Sequence, residues 1–412
     1  MRNKVAPRLA VLALGAACLL AGLDSALLRL GVWAPVGGDG ATLSARLSAL
    51  HGPLMLVGFL GTVIALERAV AARRAWAYLA PAGSALGCLS LLLGAPAPLG
   101  RALALTGALT LLAVYHRVRR RAPSAAVDIE SLGAVSLALG DLVWLLAPDD
   151  LTAAVPLWLL LPTLTIVGER LELARIAFID EVVERTVRGL SLAAVLGACL
   201  LGVVETAHVL VGAALLGLAV VMSWYDVARR TVRARGAAMA GVRFMAASML
   251  AGYLWLAVAG ATWTLASLRG GTGPAYEAVI HSLTLGFAFS MVLAHAPTII
   301  PAVIHRRLPH HRAMWLPYAL LHGGLALRLA GLAADAAAPW QVGGALGVIA
   351  VITFLLLAVT RVLTAGSFTS GQPSRAPHPV TAPSAQGVRT TTGAAHTADT
   401  VAAPSVRTGA TL

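Results

Sequence analysis

The sequence predicts an all-α, polytopic membrane protein of about twelve transmembrane helices, and three observations carry that prediction. Only 12% of the 412 residues are charged and 58% are hydrophobic, with a mean hydropathy of +0.81; soluble domains carry about 25% charged residues. Apolar runs long enough to cross a bilayer recur along most of the chain. The arginines gather in short clusters between alternate pairs of these runs, which is the orientation signal of membrane proteins.

Twelve spans are expected at about 8–31, 46–70, 75–95, 97–115, 127–147, 152–173, 187–205, 207–225, 239–267, 275–304, 312–333 and 339–363. Basic residues occupy the N-terminus (Arg2, Lys4, Arg8) and the second connection (Arg68, Arg73, Arg74). They recur in the fourth (Arg117, Arg119, Arg120, Arg121), eighth (Arg229, Arg230, Arg233, Arg235) and tenth (Arg306, Arg307, Arg312). The sixth connection mixes both signs, and the odd-numbered ones are neutral or acidic, as at Asp149 and Asp150. That alternation fits twelve spans in a bacterial inner membrane with both termini cytoplasmic. The net charge of +13 is thereby explained by topology, and no nucleic-acid partner is expected; the partner is the lipid bilayer.

The chain divides into a transmembrane domain, 1–365, and a tail, 366–412. The tail is rich in Ser, Thr, Pro, Gly and Ala without apolar periodicity, and is expected to be disordered and cytoplasmic. The first span follows three basic residues, as a signal peptide does. It is expected to be retained, because the charge alternation works with it in place. Cys18, Cys88 and Cys199 form no CxxC and lie in apolar segments, so buried, inert thiols are expected. A faint echo recurs every four spans: segment two ends TVIALERAV, segment six contains LTIVGERLEL, and segment ten ends PTIIPAVIHRR. Similar cytoplasmic exits would also produce such a pattern by themselves.

Chemistry is expected where polar groups enter apolar spans. Segment ten holds His281 and His295, fourteen positions apart, which returns to within about 40° of one helix face after a rise of roughly 21 Å. His51 on segment two and His281 both lie roughly 8–9 Å inside the outer edge of their segments. Two neutral imidazoles at one depth are what a bis-axial haem iron needs; a hydrogen bond to a neighbouring helix would serve each histidine equally. Gly52, Gly58, Gly61 and Gly286 would let a flat ring approach the backbone. His295 and His322 have similar expected depths near the midplane, about 13 and 16 Å from the cytoplasmic ends. They could be copper ligands, second haem ligands, relay members or structural residues. His305, His310 and His311 fall in a basic connection and are expected to be solvated. Asp24 and Arg328 have matching depths, so Arg328 either pairs with Asp24 or grips a haem propionate. Asp141 is a mid-membrane carboxylate suited to a proton path or an interhelical hydrogen bond. Glu67-Arg68 and Glu169-Arg170 read as local ion pairs. Pro297 and Pro301 predict a kink near the inner end of segment ten.

Two stretches resemble a known family. His281-Ser-Leu-Thr-Leu-Gly286 with Met291 and Leu293-Ala294 is similar to the late-helix HALTVG…M.LA pattern of NnrS membrane proteins. His51…Met55…Gly58-Phe59…Val63-Ile64-Ala65 is similar to their early-helix H…M..GF…VIA pattern. The resemblance implies twelve spans, a link to nitric oxide metabolism and binding of haem and copper, and its outline is that of the bundle in haem-copper oxidase subunit I. The chain departs from the family at the early HxH, of which only His51 remains. The paired mid-helix histidines of the oxidases are absent, so oxygen reduction at a binuclear centre is not expected, and copper is less well supported than haem. The expected function is therefore haem binding by His51 and His281, with Arg328 nearby, in nitric oxide or respiratory redox physiology with a redox partner or nitric oxide itself. The alternatives are a twelve-span permease using Asp24, Asp141, Arg328 and His322, and an assembly factor with no small-molecule site.

Overall fold

A computed structural model describes residues 5–37, 40–148, 150–175, 180–266 and 273–365; the expected tail lies outside the described residues. Twelve long helices follow in order: α1 Val5–Arg29, α2 Ala41–Ala72, α3 Ala75–Leu92, α4 Ala97–Arg121, α5 Ala125–Leu146 and α6 Ala154–Arg175. Then come α7 Glu181–Leu200, α8 Ala207–Tyr225, α9 Ala237–Leu265, α10 Pro274–Ile304, α11 Arg312–Ala333 and α12 Ala337–Thr364. There are no strands among the described residues. Eleven of the twelve are long and apolar enough to cross a membrane, so the chain is an all-α, membrane-embedded, polytopic protein.

The exception is α7. Its first two turns carry Glu181, Glu184, Arg185 and Arg188, so the helix starts six residues before the expected 187. The Asp180 side chain caps it by accepting from the Val183 N–H at 2.9 Å, which fixes the early start. It nonetheless lies along α8 and touches α5 and α6, as a member of the bundle.

Helices close in sequence pack as neighbours, and glycine sets how near they come. Gly83, Gly87, Gly100 and Gly107 bring α3 and α4 together; Gly212 and Gly260 do the same for α8 and α9. Lipid tails are as apolar as leucine, so burial gives helices little reason to associate there, and close backbone approach supplies the contact energy.

At the centre lies α6, with 89% of its most apolar stretch buried, the largest share of any span. It touches both α2 and α10, and α2 touches α10. These are the three helices of the four-span echo. Their directions follow from the contacts. Down α2 and α10, His51 neighbours His281, Phe59 stacks on Phe289 at 5.7 Å, and Glu67 neighbours His295. The order is the same on both, so the two helices run parallel. Down α2 and α6, Gly61 lies near Leu161 and Arg68 binds Glu169, again in one direction. The structure thus gives the weak repeat a physical meaning: its three copies form a parallel central trio.

Two of the three central helices leave α geometry. Leu54–Gly61 of α2 and Ser282–Ala288 of α10 are π-helical, beginning three residues after His51 and one after His281. Pro53 precedes the first and cannot donate an α-type hydrogen bond. In α10 the departure lies before Pro297 and Pro301, both of which sit inside helix running on to Ile304, rather than at the inner end where the prolines place it in the sequence.

A Cβ on Gly107 would lie 2.7 Å from both the Ala80 carbonyl oxygen and the Ser84 nitrogen, backbone atoms that cannot swing aside. Gly107→Ala should therefore destabilise the α3–α4 contact by about 1–3 kcal/mol. Gly189→Ala, where nothing lies within 4 Å, should leave the melting temperature of the solubilised protein unchanged or raised. Equal melting temperatures for the two variants would contradict this packing.

Candidate functional site

The site begins with the hydrogen bonds of two rings. His51 Nδ1 is 3.0 Å from the Gly22 carbonyl oxygen of α1, and His281 Nδ1 is 2.9 Å from the Glu277 carbonyl oxygen one turn earlier. A carbonyl can only accept, so Nδ1 carries the hydrogen in both rings. Each neutral ring then presents an unprotonated Nε2, the atom a metal binds. The two imidazoles lie within electrostatic reach of each other and of the guanidinium groups of Arg29 and Arg328.

Arg328 is placed by Glu277. Its guanidinium lies 2.6 Å from Glu277 Oε1, which also accepts from the Trp340 indole N–H at 2.6 Å. Cζ of Arg328 sits 5.5 Å from the Trp340 ring centre. The ion pair with Asp24 is not formed: both Asp24 oxygens accept backbone N–H groups, from Val36 at 3.0 Å and Gly37 at 2.8 Å, and so fix the loop after α1. Glu277 therefore organises both functional groups, holding Arg328 by its side chain and His281 by its carbonyl.

The glycines divide. Gly52 has open space beside it. Gly58 is filled by Cys18 and Cys88, Gly61 lies against Leu161, and Gly286 is covered by Trp255. Only Gly52 of the four offers a bare wall; the others set helix contacts.

His295 and His322 have separate surroundings. His295 Nδ1 donates to the Met291 carbonyl at 2.8 Å, and its ring is near Glu67, Arg170 and Asp226. His322 Nδ1 accepts from the Trp255 indole N–H at 3.0 Å, and the ring stands edge-on to Tyr318 at 4.3 Å. Trp255 lies on Gly286, nine residues and roughly 13 Å of helix rise before His295. With Nδ1 of His322 accepting, its hydrogen is on Nε2, which leaves neither nitrogen free as a ligand. Of the roles open to them, each thus has the hydrogen bonds of a structural residue with its own partners; among the described residues no group of three or more His, Cys, Asp or Glu side chains is arranged to hold a metal ion.

At the far end of the trio the first Glu-Arg motif pairs both locally and across helices, and the arginine of the second pairs across helices. Arg68 binds Glu169 of α6, Glu130 of α5 at 3.4 Å, and Glu67 at 3.8 Å. Arg170 forms a bidentate pair with Asp226, both contacts at 2.8 Å, and Tyr253 donates to the same carboxylate at 2.6 Å. Asp141 forms the interhelical hydrogen bond, accepting from Trp158 Nε1 at 2.9 Å. Of the thiols, Cys18 and Cys88 are buried and Cys199 is exposed. His310 is not solvated: it lies 5.3 Å from the Phe244 ring, with both nitrogens buried.

Sequence reading misses Arg29, Glu130 and the role of Glu277. Arg29 closes the first span and Glu277 opens the tenth, so their positions at one bilayer face are available as a signal. Asp24, Asp141, Arg328 and His322, the residues of a permease route, each have a different hydrogen-bond partner.

The apolar helices and their parallel central trio define the class: an all-α polytopic membrane protein. The family model described as Domain of unknown function (DUF8744) matches residues 8–363, and the chain belongs to that family. No curated protein matches it.

Asp226 lies just beyond α8. Burial alone would raise its carboxyl, but the hydrogen bonds and charge of Arg170, with the Ala228 N–H and Tyr253, hold it below the ordinary 3.8. Its stabilising contribution is thus complete above that value and is lost as pH falls through the lower, folded-state one. Asp226→Asn should flatten this acid limb of a melting-temperature profile. Arg170→Ala, which strands the carboxylate, should cost about 3–5 kcal/mol; a loss under about 1 kcal/mol, the range of exposed pairs, would show that the pair is not buried as described.

Proposed function

We propose that this is an NnrS-like, haem-binding protein of the bacterial inner membrane, with both termini cytoplasmic, acting in nitric oxide response or respiratory redox physiology. One observation carries the reading: His51 and His281 are neighbours, each with Nδ1–H donated to a carbonyl and Nε2 left as a lone pair. These two rings would hold a haem iron, each oriented as metal-ligating histidines are by an outer hydrogen bond. Haem held by both rings would supply one-electron chemistry.

The chain's own residues do the rest. Gly22 and Glu277 hold the imidazole tautomers, the π-helical turns set where the two rings stand on their helices, and Arg29 and Arg328 are the cations available to two propionates. Arg328 would share its charge between a propionate and Glu277, and Glu277 keeps the guanidinium in place when no anion is bound. Gly52 offers the open backbone for the edge of a flat ring. The positive-inside pattern of arginines supports the orientation.

Protein purified in detergent from haem-replete cells should show a reduced-minus-oxidised haem spectrum of low-spin type. His51→Ala or His281→Ala should abolish it or convert it to a high-spin form, with the melting temperature of each variant measured to show that it folds. Glu277→Gln should weaken haem retention severalfold while leaving the spectral type unchanged. A colourless wild-type preparation would overturn the proposal.

A further inference from the structure

At the Arg68 end of the bundle, where α8 gives way to the connection before α9, there is a cavity of about 460 Å³ lined by Trp224, Tyr225, Asp226, Val227, Arg229, Arg230 and Arg233. Its size falls in the range of small-ligand sites, about 300–1,000 Å³. We propose that this cavity binds the phosphate headgroup of an anionic membrane lipid.

Its chemistry is of two kinds on two sides. Trp224 is 61% exposed at the last turn of a membrane-spanning helix, the position where tryptophan marks the boundary between hydrocarbon and headgroups. Arg229 lies over that ring, its Cζ 4.0 Å from the centre, so an apolar wall and a guanidinium are presented together at one level. Arg230 and Arg233 follow on the turn Ala228–Thr231 and just after it. Asp226 is the one acid among the lining residues, and its oxygens already accept from Arg170, Tyr253 and the Ala228 N–H. A negative ligand entering the cavity therefore meets a carboxylate whose charge is compensated from within the bundle.

A phosphodiester matches this arrangement. Guanidinium groups bind phosphate oxygens in bidentate fashion, and the Trp224 side of the cavity suits the glycerol backbone and the first methylenes of an acyl chain. Basic pockets at the ends of membrane helices recognise anionic headgroups by the same means. A free phosphate would satisfy the arginines but leave the tryptophan wall without a partner, so the lipid is the favoured source. The site is remote from the histidine pair and does not depend on haem.

The test uses the full-length protein in nanodiscs and by native mass spectrometry. Wild type should retain phosphatidylglycerol through detergent exchange and melt at a higher temperature in phosphatidylglycerol than in phosphatidylcholine. Arg229→Gln/Arg233→Gln should retain the lipid roughly thirtyfold less well, as expected of two arginines at about 1 kcal/mol each near a charged surface. Its melting temperature in phosphatidylcholine should match wild type, which shows that the fold is intact. Arg120→Gln/Arg121→Gln, which removes equal charge at another connection, should bind lipid like wild type. Equal loss in both double variants would overturn the site in favour of general surface charge. Stabilisation by inorganic phosphate equal to that by phosphatidylglycerol would overturn the lipid assignment, and no retained lipid in wild type would overturn the proposal.

Discussion

The structure depends on the compensation of buried charge where α2, α5 and α6 meet. A charge withdrawn from water costs several kcal/mol unless it is paired and hydrogen-bonded. Arg68 is shared by three carboxylates, one of them, Glu130, only 2% exposed. The pairs draw α2 onto α6 and α5, and Arg170 with Asp226 and Tyr253 draws α6 onto α8 and α9. Five helices are thereby fixed in height relative to one another. Apolar packing alone could not do this, since one leucine on a lipid-facing helix is worth much the same as the next.

Height at one end fixes height at the other. With α2 and α10 parallel and Phe59 stacked on Phe289, each eight residues beyond its histidine, His51 and His281 are held at one level. In α10 the π-helical stretch lies between the histidine and the stacked ring, whereas in α2 it begins after His51 and includes Phe59 itself. A π turn adds a residue to the helix without much added rise, and so rotates the residues before it relative to those after it. In both helices this turns the histidine relative to the residues beyond the π-helical stretch. The aromatic stack and the ion pairs are thus the frame, and the two imidazoles are what the frame positions.

The fold is readable from sequence because the bilayer constrains composition so strongly: α10 is expected at 275–304 and runs Pro274–Ile304. The depth match of His51 and His281 is also readable, because depth is a count of residues from a helix end. Direction around the helix axis is not. Asp24 and Arg328 have similar depths but face different partners, and Gly286 faces Trp255 rather than a cofactor gap. A helix apolar on every side has no polar stripe to tell one face from another. The same blindness explains His295 and His322. The Glu-Arg echo is legible as a pattern, but its meaning requires knowing that the first arginine reaches the second glutamate.

The central claim is that two histidines from parallel helices stand as ligands to one iron. Pulsed electron paramagnetic resonance of the oxidised, purified protein measures this most directly. The account predicts nitrogen hyperfine couplings from two axial imidazoles, falling to one in His51→Ala and in His281→Ala. A signal with a single axial imidazole in wild type, or one that survives both substitutions unchanged, would contradict it.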